Sequence, residues 1–141
     1  MTCDINTCKP YRAGTHPTFI STENKCTHQG ENVSRQYIRQ FKIAGDVFTS
    51  GDMQRCDFLL LNDDKKTSYY IELKGSDLPK AIAQIDNTVA MISPFLPGYK
   101  IFRRIVYRTG THKIRDSRVV QWQSKHSKSV LIKERKLEEE I

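Results

Sequence analysis

The chain has 141 residues, 38% hydrophobic and 28% charged, a size suited to one domain built around one core. A formal net charge of +7 and a pI near 9.3 draw polyanionic partners rather than basic ones. No apolar run is long enough to cross a bilayer. The start lacks the basic and then apolar pattern of a secretory leader, so a soluble cytoplasmic protein is expected.

Residues 1–28 hold Pro10, Gly14, Pro17, three cysteines and two histidines with little hydrophobic periodicity, and read as an irregular arm with a short extended piece at Thr18 to Ser21. Residues 29–141 read as one α/β domain. A first helix is expected from Glu31 to Ile43, because Val33, Tyr37 and Phe41 recur four residues apart and Ile38 widens the stripe. Gly45 is placed to end it. Asp46 to Thr49 suggests a short strand, and Ser50-Gly51-Asp52 a turn.

Two strands are expected next, Cys56 to Asn62 and Thr67 to Lys74, joined by the polar loop Asp63-Asp64-Lys65-Lys66. Consecutive leucines suit a strand covered on both faces, and Tyr69, Tyr70 and Ile71 favour extended backbone. Ser76 or Asp77 can cap a second helix, with Pro79 in its first turn. Its stripe is Leu78, Ile82, Ile85, Val89 and Ile92, running to Pro94. After the break at Pro94, Pro97 and Gly98, Lys100 to Tyr107 alternates as a long strand, with Ile101, Arg103, Ile105 and Tyr107 on one face. Gly110 is expected to end that excursion. Val119 to Trp122 and Ser129 to Lys133 read as short strands, and residues 134–141 form a charged tail with no assigned structure. The fold class expected is α/β, a mixed central sheet flanked by helices.

The chemistry-bearing residues lie on the two middle strands. Side chains alternate across a strand, so Glu72 and Lys74 leave one face while Ile71 and Leu73 leave the other. An acid at Asp57, paired across the hairpin, can converge on them. Two carboxylates, with the Leu73 carbonyl, suit a hard cation such as Mg²⁺ or Mn²⁺. A divalent ion stabilises charge on phosphate oxygens and activates water, and a lysine beside it can orient that water or stabilise the transition state. Each feature alone is equally a turn aspartate or an exposed cross-strand pair.

Between Lys100 and Lys136 the sequence carries Arg103, Arg104, Arg108, Lys113, Arg115, Arg118, Lys125, Lys128, Lys133 and Arg135 against Asp116 and Glu134, a segment suited to a polyanion. A merely solubilising basic surface is the competing reading. Cys3, Cys8, Cys26 and His28 offer four donors for a structural zinc, at a loose spacing that free thiols explain as well.

The order of acid, hairpin, Glu-x-Lys and capped helix resembles the PD-(D/E)xK phosphodiesterase superfamily, which has the restriction-endonuclease-like fold, over roughly Glu31 to Tyr107. The resemblance implies an α-β-β-β-α-β core, a metal-dependent endonuclease acting on DNA in preference to RNA, and a homodimer. It makes Asp57 and Glu72 metal ligands, Lys74 the catalytic lysine, Glu31 the additional acid and Gln84 a catalytic glutamine on the following helix. Arg103, Arg104, Arg108, Lys113 and Arg115 would grip the backbone. Cys56 stands where the family often has proline, and Thr88 where one subgroup has tyrosine. A catalytically silent binding module of the same fold is the alternative.

Overall fold

The computed structural model describes residues 4–47, 54–109 and 115–141. It is mixed α/β in three layers. The middle layer is a six-stranded mixed sheet of β1 (Arg12–Gly14), β4 (Ile38–Lys42), β5 (Phe58–Asn62), β6 (Thr67–Lys74), β7 (Lys100–Tyr107) and β8 (Val130–Glu134), adjacent in that order. The strands β4, β5 and β6 form an antiparallel meander, whereas β7 runs parallel to β6 and β8 parallel to β7. Helices α1 (Leu78–Ile92) and α2 (Ser117–His126) cover one face. The other face is covered by a second sheet, β2 (Thr18–Glu23), β3 (Cys26–Glu31) and β9 (Lys136–Glu140).

This layering explains why β5 is buried at every position. Leu59 and Leu61 pack under the helices, and Phe58 and Leu60 pack against the second sheet. The loop 63–66 and α1 follow the sequence reading: Asp77 caps α1 by accepting from the Lys80 N–H, and Pro79 sits in the first turn. β7 exposes both faces to cores, Ile105 and Tyr107 to the helices and Val106 to the second sheet.

The expected helix from Glu31 to Ile43 does not form. Glu31 ends β3, and Ile38–Lys42 is a strand. The four-residue stripe is no single face: Val33 and Tyr37 are exposed at 67% and 47%, while Phe41 and Ile38 are buried on opposite faces of β4. Asn32 instead locks a tight loop: its Oδ1 accepts from the Gln36 N–H, and its Nδ2 donates to the carbonyls of Gln36 and His16. Gln40, polar yet buried, sits in a strand because Nε2 donates to the Ile20 carbonyl and Ser21 Oγ. Ile43–Val47, partly expected as strand, is a kinked helical turn with Gly45 at φ 107°; residues 48–53, including the expected turn, lie outside the described residues, as does Gly110.

Three further differences share one cause, that a short element is decided by what it packs against. The N-terminal arm, from residue 4 on, holds a helical turn at Ile5–Thr7 and the strands β1, β2 and the start of β3: Ile5, Phe19 and Cys26 are fully buried, and Asn24 and Lys25, both at positive φ (52° and 61°), make the two-residue turn of a β2–β3 hairpin. The segment Val119 to Trp122, read as strand, belongs to α2. Asp116 caps it, and Val119 and Trp122, three apart, are its buried residues while Val120 faces out. The charged tail pairs in parallel with β3 because Leu137 and Ile141 plug the space between the sheets.

One buried polar cluster fastens the two sheets. Arg104 on β7 binds Glu139 on β9 through Nε at 2.8 Å and Nη2 at 3.0 Å, and Glu139 also meets His28 Nε2 at 2.8 Å. Arg104 Nη1 donates to the carbonyls of Arg103 and Ser129, and its guanidinium lies over Tyr69 and Phe102. The partners hold the Glu139 carboxyl below its ordinary range despite burial, which alone would raise it.

Candidate metal-binding site

The candidate site lies where β5 begins and β6 ends. The Asp57 N–H donates to the Ile71 carbonyl at 3.0 Å, the last main-chain link before the two strands part. Asp57 Oδ2 then accepts from the Leu73 N–H at 2.9 Å, so the side chain continues the ladder where the backbone cannot. Upstream, α1 fixes the approach: the Cys56 N–H donates to Thr88 Oγ1 at 2.8 Å, and Gln84 Nε2 donates to the Arg55 carbonyl at 3.0 Å.

Glu72 points from β6 toward the helix-covered face and is 1% exposed. Lys74, two residues on, places Nζ 3.6 Å from Glu72 Oε2. Glu72 Oε1 is buried with no hydrogen-bond partner. Burial pushes the Glu72 carboxyl up to about 8, helped by the neighbouring Asp57 charge and resisted by Lys74. Burial likewise raises Asp57 to about 6. The Leu73 N–H and Lys74 restrain that rise, and the charge of Glu23 adds to it. The Asp57 charge helps to raise Glu72, so near neutrality the pair retains a proton that a cation would displace.

Sequence reasoning missed the hairpin turn that sits over this strand end. Asn24 Nδ2 donates to the Leu73 carbonyl at 2.9 Å, and the Cys26 thiol reaches the Lys74 carbonyl at 3.6 Å. Glu23, the exposed last residue of β2, is thereby brought near Asp57. The one signal in the sequence was Asn-Lys between two runs of extended-favouring residues, and the polar run Thr27-His28-Gln29 masked the second strand.

The residues expected to act together divide sharply. Asp57, Glu72, Leu73 and Lys74 are brought together. Glu31 is not: it ends β3 opposite Thr18, the full length of the strand from Cys26, roughly 17 Å at about 3.3 Å per residue. Its carboxylate accepts from Thr18 Oγ1 and Gln29 Nε2 instead. Gln84 positions the chain before Asp57 through Arg55 and makes no hydrogen bond to the acids.

Among the basic residues, Arg104 is spent inside the protein, 5% exposed with all three guanidinium nitrogens hydrogen-bonded, which removes it from any ligand surface. Arg103 faces the helix layer, half-buried, with Nη1 on Ser129 Oγ at 3.0 Å. Arg108 and Arg115 are exposed, and Lys113 lies outside the described residues.

The four donors considered for zinc do not assemble. Cys8 packs on the helix-side core and Cys26 on the core between the sheets, so the central sheet separates them. His28 is committed to Glu139, and Cys3 lies outside the described residues. Among the described residues no group of three or more His, Cys, Asp or Glu side chains is set to hold a metal, and no helix is long and apolar enough to cross a membrane. Two carboxylates without a third fit an ion that keeps several waters, as Mg²⁺ does, better than one held wholly by protein. Glu72 Oε1, buried and without a hydrogen-bond partner, is an oxygen that such an ion would take.

Comparisons with protein families, curated proteins and solved structures give no significant match to this chain.

Proposed function

We propose that the protein is a metal-dependent endonuclease that hydrolyses phosphodiester bonds in DNA. The observation that carries this reading is the acid pair Asp57 and Glu72, both held above the ordinary carboxylate range by burial, with Lys74 beside them. Burying two acids against each other costs stability, and the Leu73 N–H and Lys74 offset only part of that cost, since both carboxyls stay above the ordinary range. The strand order supports the reading too: a meander β4–β5–β6, then α1, then a parallel β7 is part of the succession implied by resemblance to the PD-(D/E)xK superfamily, whereas strands and no α-helix precede the meander among the described residues.

Asp57 and Glu72 would hold Mg²⁺ or Mn²⁺, which when bound supplies charge stabilisation on the phosphate and acidifies water. Lys74, half-buried and tied to Glu72, orients the attacking water and offsets charge on the phosphate oxygens. Asp57 has a second task, since its bond to the Leu73 N–H fixes the distance between the strands that carry the two acids. Glu23, from the hairpin, adds negative charge near Asp57 without joining the pair as a third ligand.

The second reading is a catalytically silent nucleic-acid-binding module, favoured by Asn24, which occupies the Leu73 carbonyl expected to face the metal. Incubation of plasmid, linear and branched DNA and of RNA with Mg²⁺ or with chelator separates the two. Cleavage by the wild type that needs Mg²⁺ and is lost in Asp57→Asn and Lys74→Ala supports the enzyme. Intact nucleic acid throughout, with binding retained, supports the module.

A further inference from the structure

We infer that Arg108 and Arg135 form a paired guanidinium clamp for a phosphate neighbouring the acid pair, so that the ligand is a phosphodiester chain rather than a single nucleotide. The inference rests on the proposed hydrolytic reading for the nature of the ligand, and on its own observations for the site. Both arginines follow the C-terminal ends of parallel strands, Arg108 after β7 and Arg135 after β8, on the same end of the sheet where Lys74 ends β6. The Arg108 N–H donates to the carbonyls of Lys74 and Gly75 at 3.1 and 3.2 Å, which holds the residue directly beside the catalytic strand. The Arg135 N–H donates to the Tyr107 carbonyl at 2.7 Å, and its own carbonyl accepts from the Thr27 N–H at 2.9 Å, so it bridges the two sheets at the same end.

The Cys26 thiol, 3.6 Å from the Lys74 carbonyl, lies within reach of the charges of Asp57, Arg108 and Arg135 alike. Arg108 Nη2 lies 3.8 Å from where a Cβ on Gly75 would stand, next to Lys74. Both side chains are exposed, and neither is ion-paired to a carboxylate among the described residues, unlike Arg39, Arg104 and Arg118. Arg135 also adopts φ 65°, a left-handed conformation disfavoured for a residue with a Cβ. Glycine or asparagine would serve that turn at less strain, so Asn at 135 removes the charge and keeps the backbone. Two arginines on adjacent strand ends, beside a site for one phosphate group, match a chain that carries a phosphate at each step.

The test is equilibrium binding of a fluorescein-labelled DNA duplex and single strand, measured by anisotropy in chelator across a salt series, with wild type, Arg108→Ala, Arg135→Asn, the double variant and Lys128→Ala. Asn tolerates the left-handed backbone at position 135, so loss of charge is separated from loss of fold, and unchanged thermal melting verifies it. Lys128 is exposed at the other end of β8 and serves as a charge-matched control. The double variant is expected to bind at least about tenfold more weakly, with the slope of log affinity against log salt reduced by about 2, while Lys128→Ala stays near wild type. A double variant no weaker than Lys128→Ala, or a wild type that binds neither DNA, overturns the clamp. Binding that depends on the clamp in a protein that never cleaves overturns the hydrolytic reading alone.

Discussion

Asp57 and Leu73 are joined by a side-chain to main-chain hydrogen bond of 2.9 Å, which makes the acid before β5 a structural part of β6. Charge and connection can therefore be separated. Asp57→Asn keeps an oxygen that can accept from the Leu73 N–H and removes an acid that burial destabilises. Its melting temperature in chelator is expected to equal or exceed that of the wild type at pH 7.5, with cleavage abolished. Asp57→Ala, which strands that N–H, is expected to lose about 1–3 kcal/mol, measured by urea unfolding.

The pH dependence of stability has a definite sign. Glu72 and Asp57 have folded pKa values of about 8 and 6, above their ordinary 4.5 and 3.8, so the folded protein binds more protons than the unfolded chain. Their contribution is fully present below the ordinary values and is lost as pH rises through about 8. Glu139, held low, works oppositely and is lost on acidification. Metal-free stability should thus peak on the acid side of neutrality and fall by about 3–5 kcal/mol toward pH 8.5. Glu72→Gln should flatten that fall, as followed by thermal unfolding in chelator.

The Arg104, Glu139 and His28 cluster is expected to hold the sheets together and to do nothing else. Glu139→Ala leaves a buried guanidinium without its carboxylate and should cost about 3–5 kcal/mol. The salt dependence of DNA binding should not change, because Arg104 faces no solvent. A reduced salt slope in Arg104→Met of preserved fold would return Arg104 to the ligand surface.

Gly30 reports on how β9 docks. A Cβ there would stand 2.8 Å from Ile141 Cδ1, with Leu60 Cδ1 at 3.3 Å. Gly30→Ala should cost about 1–3 kcal/mol, and pairing it with Ile141→Val should recover part of that loss, since the clash is with a side-chain end.

The half of the site that was legible in the sequence is the half whose geometry is local. Asp57, Glu72 and Lys74 sit on two strands joined by a short hairpin, and strand alternation alone puts them on one side of it. The same holds for α1, where capping and a long stripe agree. Glu23, Asn24 and Arg135 were not legible, because each reaches the site by tertiary contact: a hairpin folded over the Leu73 carbonyl, and a strand pairing 27 with 136. Glu31 misled for a related reason. Its helix was inferred from Val33 and Tyr37, which face solvent, while Asn32 closes the loop through side-chain bonds that no periodicity reveals.

The most direct measurement of the central claim is a calorimetric titration of Mn²⁺ into wild type and Glu72→Gln between pH 6 and 8.5. Saturable binding that tightens as the pair loses its protons, and that Glu72→Gln abolishes, is the result expected. Binding that is absent, or unchanged by Glu72→Gln, would contradict the acid pair as a cation site.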